Sequence, residues 1–192
     1  HLHGEVQGKI KGSVIQKGRE GKIMVVASQH AVESPRDPSS GQATGRRQHK
    51  VFTITKEIDS ASPLLYKALS INETFKEWEL QFWAPQLKST TGTGAEMQHY
   101  TVRLSGAAVT QIRFVQPDTR GPETARIAET EEVSFAYSRI EWLWVKGAIS
   151  SSDDWNNAPQ ATAKPAKSAK ASKVAKADAK VAKAVAAAQA NG

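Results

Sequence analysis

The chain has 192 residues, 26 Lys and Arg against 19 Asp and Glu, a formal charge of +7, 39% apolar residues and no cysteine. That is the composition of one folded domain with room for an appendage. It excludes disulfides, thiolate metal sites and a cysteine nucleophile, and no apolar run reaches the roughly 18 residues of a membrane-spanning helix. The opening His1-Leu2-His3-Gly4-Glu5 has neither the basic start nor the apolar stretch of a secretory leader.

Leu2, Val6, Ile10 and Val14 share one parity across Gly4, Gly8 and Gly12, which predicts a strand with a bend or a close backbone approach. Ile23 to Ala27 is a continuous apolar run of the length of a buried strand. The segment from Glu33 to Gly45 contains Pro35, Pro38, Gly41 and Gly45 and no periodicity, so it reads as a long exposed loop. Val51 to Ile58 is β-branched and aromatic, a strand. Ser62-Pro63 before Leu64, Leu65, Ala68 and Leu69 predicts a short helix, with Ser62 as its cap, Pro63 in its first turn and an end near Asn72.

Beyond it, Trp78, Leu80 and Phe82 alternate with polar residues, as do Tyr100, Val102 and Leu104, and Thr91 to Met97 between them reads as a hairpin loop. Val109 to Val115 is a further strand. Val133, Phe135 and Tyr137 run into Ile140, Trp142 and Trp144 with a shift of parity, the sign of a bulge or of two abutting strands. Seven or eight short strands and one helix predict a mainly β protein, a barrel or sandwich, over residues 1–158.

Residues 159–192 differ in kind. From Ala161 onward there are seven lysines, from Lys164 to Lys183, against the single acid Asp178, so this stretch holds +6 of the +7. Its 14 alanines and lack of aromatic residues predict a flexible or weakly helical tail that cannot offset its own ordering entropy. The lysines weakly suggest nucleic acid or another polyanion as a partner. The body, nearly neutral, suggests none.

Catalytic chemistry finds no support. The five histidines, His1, His3, His30, His49 and His99, do not form a metal-binding motif, and no glycine cluster has the spelling of a phosphate loop or dinucleotide site. Glu129, Glu131 and Glu132 read as a solvated face, and Asp153-Asp154 beside Trp155 as a solvated turn. No nucleophile, base and oxyanion donor assemble, so neither an enzyme nor a cofactor is expected.

Three stretches taken together carry a resemblance: Gly45-Arg46-Arg47-Gln48-His49-Lys50 running through Val51 to Asp59, Ser62-Pro63-Leu64-Leu65-Tyr66-Lys67-Ala68-Leu69, and Val133 to Trp142 continuing to Ser152-Asp153-Asp154-Trp155. In that order and spacing they resemble the Hcp family, the haemolysin-coregulated tube proteins of bacterial type VI secretion. The resemblance implies a two-sheet β-barrel flanked by one short α-helix. It also implies homo-hexameric rings that stack into a tube, with a spike protein, a contractile sheath and small secreted effectors as partners. Such a protein assembles in the bacterial cytoplasm and is then secreted. The long loop would stack ring on ring, with Glu33, Arg36, Asp37, Arg46, Arg47, His49 and Lys50 as its polar contacts. The alternative, from another class, is a binding module that works through the lysine tail.

Overall fold

A computed structural model describes residues 1–85 and 96–155. The predicted hairpin loop at 91–95, the boundary after residue 158 and the tail lie outside these residues.

The strands are β1 (Leu2–Gly4), β2 (Gly8–Ile10), β3 (Ala27–Gln29), β4 (Val32–Glu33), β5 (Gln48–His49), β6 (Phe52–Glu57), β7 (Thr74–Pro85), β8 (Glu96–Ser105), β9 (Ala107–Val115), β10 (Thr130–Ala136), β11 (Arg139–Trp144) and β12 (Ile149–Asp154). One helix, α1 (Ser62–Ser70), lies between β6 and β7. The hydrogen-bonded order β12-β11-β8-β7-β9-β10-β6-β3 is a single curled sheet, a half-barrel, with β1 on β7 and β2 on β1, while β4 and β5 form a separate pair.

The sheet turns a corner in mid-strand. β8 ends at Ser105 and β9 begins at Ala107, and both lie against β7, with Leu104 opposite Trp78 and Ala107 opposite Phe75. They are one long strand bent at Gly106. The neighbouring strand bends beside it, because Arg139 of β11 pairs with Ser105 and Ala136 of β10 with Ala108. Gly106 has φ 59°, and a Cβ there would stand 2.6 Å from Ser138 Oγ, so this position needs glycine twice over. Ser138 donates both its backbone N–H (3.0 Å) and its hydroxyl (2.9 Å) to the Ser105 carbonyl. The parity shift after Tyr137 is this corner. The bend divides the continuous sheet into two walls, β12-β11-β8-β7 and β9-β10-β6-β3.

Period-two alternation fills the space between the walls. Phe52 and Ile54 of β6, Val102 and Leu104 of β8, and Val133 and Phe135 of β10 are buried, as are Leu65 and Ala68 of α1. Phe52, Trp78, Phe135 and Phe75 form an edge-to-face chain with successive ring centroids 5.0, 5.4 and 5.9 Å apart. Lys56 and Glu131 continue the inward registers of β6 and β10 and face each other across the ladder, both fully buried, with Lys56 Nζ 2.8 Å from Glu131 Oε1. Glu131 is therefore no part of a solvated face; Glu132, one residue on, is the one that points outward to Arg113.

Three local expectations change. Residues 2–10 are a hairpin rather than one bent strand: Leu2 pairs with Ile10, and Val6 sits exposed at the turn. The Glu73 carboxylate accepts from Val6 N–H (2.7 Å), Gln7 N–H (2.8 Å) and Gln7 Nε2 (2.6 Å), and a Cβ on Gly4 would collide with it. The run from Ile23 enters the ladder only at Ala27, with Ile23 and Val25 against the core and Met24 and Val26 outward. Ser62 is not the helix cap. Its hydroxyl is taken by Glu131 (2.7 Å) and Lys56 (2.9 Å); Ala61 holds the capping position without a side-chain cap, and its own N–H donates to Asp59 Oδ1 at 2.9 Å. The helix closes as expected near Asn72, whose φ of 51° lets Asn72 N–H reach Leu69 O and Glu73 N–H reach Ala68 O.

Candidate functional site: an anchored arm

The segment predicted as a long loop is an ordered arm. Val32 pairs with His49 and Glu33 with Gln48, and Lys50 N–H reaches Ala31 O at 2.9 Å. Further out, Thr44 N–H donates to Pro35 O, Asp37 N–H to Gln42 O, and Arg36 bridges to Ala43. At the tip Asp37 Oδ1 accepts from Ser39 N–H, Ser40 N–H and Ser40 Oγ, which holds its carboxyl below the usual range. Nearly every side chain between Ala31 and Arg46 is exposed. The arm thus has backbone order without a core of its own.

Its rigidity comes from the root. Arg47 makes a two-pronged ion pair with Asp153 and donates to Asp154 O at 3.0 Å. His49 is buried; its Nε2 lies 2.9 Å from Asp153 Oδ2 and its Nδ1 2.9 Å from the Tyr137 hydroxyl. On the opposite side of that hydroxyl stands His30 Nε2, at 2.6 Å. Phe52 stacks on His30 at 5.3 Å, and Trp155 lies 5.9 Å from His49. The hydrogen bonds from Arg47 hold the Asp153 carboxyl below its ordinary range against the opposing effect of burial, and His49 reinforces them. Asp153 is accordingly the anchor of the arm on β12 and not a solvated turn residue.

The seven residues predicted for the arm divide into two groups. Glu33, Arg36, Asp37, Arg46 and Lys50 are outside the root: Arg36 donates to Gly41 O at 3.0 Å, and Lys50 and Glu33 pair at 3.3 Å. Arg47 and His49 face inward and hold the arm to the barrel. Sequence reading missed His30, Tyr137 and Asp153, which complete the root. The one available signal was the inward parity of Tyr137 with Val133 and Phe135.

The described residues therefore define a mainly β protein: a curled half-barrel with one helix and a clamped, projecting arm. The chain belongs to the Hcp family. The family model "Type VI secretion system effector, Hcp" matches residues 3–144. The "Major exported protein" of Pseudomonas aeruginosa is 37% identical over 146 residues, 76% of this chain and 82% of that protein. An Hcp crystal structure covering 82% of this chain and 96% of its own superposes with a TM-score of 0.73 at 28% identity. The Hcp1 protein of E. coli EAEC 042, in a double-tryptophan mutant form, gives 0.69 at 34% identity over 80% of this chain and 95% of its own. The secreted protein Hcp3 of Pseudomonas aeruginosa gives 0.62 at 29%, over 81% and 96%. Among the described residues no helix is long and apolar enough to cross a membrane.

Proposed function

We propose that this chain is a structural, non-enzymatic subunit of the type VI secretion tube. Six copies close into a ring, rings stack through the 31–50 arm, and the hollow tube shelters small secreted effectors. It is assembled in the cytoplasm and exported with its cargo. The observation that carries this reading is the arm. Its side chains are exposed almost throughout, while its root is fixed by Arg47 and His49 on one carboxylate. A polar hairpin held rigid away from its own core loses little entropy on docking, which suits a reversible contact between copies.

Apolar surface supports the ring. Trp144 and Ile149 are cross-strand partners at one end of the β11–β12 hairpin, with Val145 beside them, and all three are exposed. Among the described residues the far side of β12 is a sheet edge without a partner strand in the ladder. Exposed apolar groups on an open edge call for a neighbour.

Light scattering after size exclusion, with electron microscopy of the same fractions, tests both levels of assembly. Deleting Ser39-Ser40-Gly41 is expected to leave rings intact and abolish tubes. Normal tubes from that variant refute the arm's role, and a monomer at high micromolar concentration refutes the ring. The lysine tail favours a second reading, a polyanion-binding module, through its concentrated positive charge. Truncation after Gln160 separates the two: salt-sensitive polyanion binding disappears under the second reading, and ring formation is unaffected under the first.

A further inference from the structure

Two imidazoles share one hydroxyl at the arm root. Tyr137 Oη lies 2.6 Å from His30 Nε2 and 2.9 Å from His49 Nδ1, while His49 Nε2 faces Asp153 at 2.9 Å. An ionised carboxylate only accepts, so His49 carries a proton on Nε2. With His49 neutral the order of donation is fixed. His30 Nε2–H donates to Tyr137, the Tyr137 O–H donates to His49 Nδ1, and His49 Nε2–H donates to Asp153.

A single added proton can be placed without loss: carried on His30 Nδ1 it leaves the order of donation as it is, and carried on His49 Nδ1 it reverses the chain. The new N–H donates to Tyr137, whose O–H turns to His30 Nε2, with the His30 proton moved to Nδ1. Every group at the hydroxyl is still satisfied. A second proton cannot be placed so well. Both imidazoliums would then donate into one oxygen, the hydroxyl hydrogen would lose its acceptor, and two cations would stand with ring centroids 6.3 Å apart.

We propose that His30, Tyr137, His49, Asp153 and Arg47 form a proton-gated latch, which fixes the arm root to β12 while at most one imidazole is charged and releases it when both are. The ordinary acid–base character of the groups agrees. Burial and the charge on Asp153 push Tyr137 up to about 12, so it always keeps its proton, and Asp153 stays ionised beside Arg47. Burial, and then the neighbouring His49, lower the affinity of His30 for its second proton. Among the described residues the elements packed on the cluster face it with rings, Phe52 from β6, Trp142 from β11 and Trp155 after β12, and the Asp154 charge acts on Arg47. Asp154 presents its carbonyl to Arg47, and Arg46, Glu33 and Lys50 flank the root on the arm.

Hydrogen exchange of the full chain, read by mass spectrometry at pH ~7.5 and ~5 and corrected for the intrinsic exchange rate, tests the latch. The arm amides of Asp37, Thr44 and Lys50 are expected to lose about tenfold in protection at the lower pH, while β8 and β9 are unchanged. In His30→Phe only one imidazole can charge, so the arm should stay protected at both pH values. His30→Gln gives the same reading if the Phe variant does not fold. Equal protection of the wild-type arm at both values overturns the latch. So does parallel loss from β8 and β9, or acid loss in the His30 variants. That acid loosens ring stacking rests on the function proposed above. Tubes that persist on acidification with a loosened arm would refute the stacking role and leave the latch standing.

Discussion

Replacing Lys56 by Met would strand a carboxylate inside the barrel. Lys56 Nζ lies 2.7 Å from Glu57 O, 2.8 Å from both Asp59 Oδ1 and Glu131 Oε1, and 2.9 Å from Ser62 Oγ. Without the cation, Glu131 keeps only the Ser62 hydroxyl at 2.7 Å, and its Oε2 has no hydrogen-bond partner even in the intact protein. Breaking a buried pair from one side destabilises by about 3–5 kcal/mol. Against a total of roughly 5–15 kcal/mol that is a large share. With a urea slope of ~2 kcal/mol per molar, the midpoint should fall by about 2 M. Adding Glu131→Leu removes both charges of the cross-strand pair and should restore most of the loss. Asp59, only 12% exposed, keeps the Ala61 N–H at 2.9 Å but loses the same ammonium, which accounts for the part not restored. The assay is equilibrium urea unfolding of wild type, both single variants and the double variant at one protein concentration, because assembly shifts apparent stability. A double variant no more stable than Lys56→Met alone would refute the argument that the stranded charge, rather than lost packing, sets the loss.

The other predictions probe the corner, the hairpin clamp and the arm tip. Gly106→Ala should destabilise by ~1 kcal/mol for the left-handed backbone and more for the clash with Ser138; adding Ser138→Ala should relieve only the second part in the same urea experiment. Burial works to raise the Glu73 pKa, but donation from Gln7 and Val6 outweighs it and the net shift is downward. The unfolded chain therefore binds that proton first, and stability present above about pH 4.3 is lost as pH falls through the folded value; Glu73→Gln should flatten this limb of an acid-unfolding curve. Asp37→Ala should speed hydrogen exchange at Ser39 and Ser40 without moving the unfolding midpoint, because it removes contacts that stay within the exposed tip.

Where one face of a strand is buried, the sequence spells it. Val102 and Leu104, or Val133 and Phe135, alternate with polar residues on the opposite face of the strand, and the Hcp resemblance rests on segments of this kind. The same rule carried information that charge concealed. Lys56 follows Phe52 and Ile54, and Glu131 precedes Val133 and Phe135, each in the inward register, yet a charged residue invites a solvated reading. Their being cross-strand partners depends on strand pairing, which no single segment records. The N-terminal hairpin failed for a related reason, since glycines spaced four apart suit a bent strand and a turn equally. The arm root was the least legible. His30, His49, Tyr137 and Asp153 are up to 123 residues apart and meet only because β12 returns beside β11.

The paired bends at Gly106 and Ser138 also have a mechanical meaning. Each wall of the half-barrel contains a stretch of the same two bent strands, β8–β9 and β10–β11, cross-tied at the bend by Ser138 to Ser105. A load on one wall is therefore passed to the other through covalent backbone, with the ladder bonds on either side sheared together instead of peeled one by one. Side-chain contact between the walls need not transmit the force. A domain built this way yields as a unit or not at all.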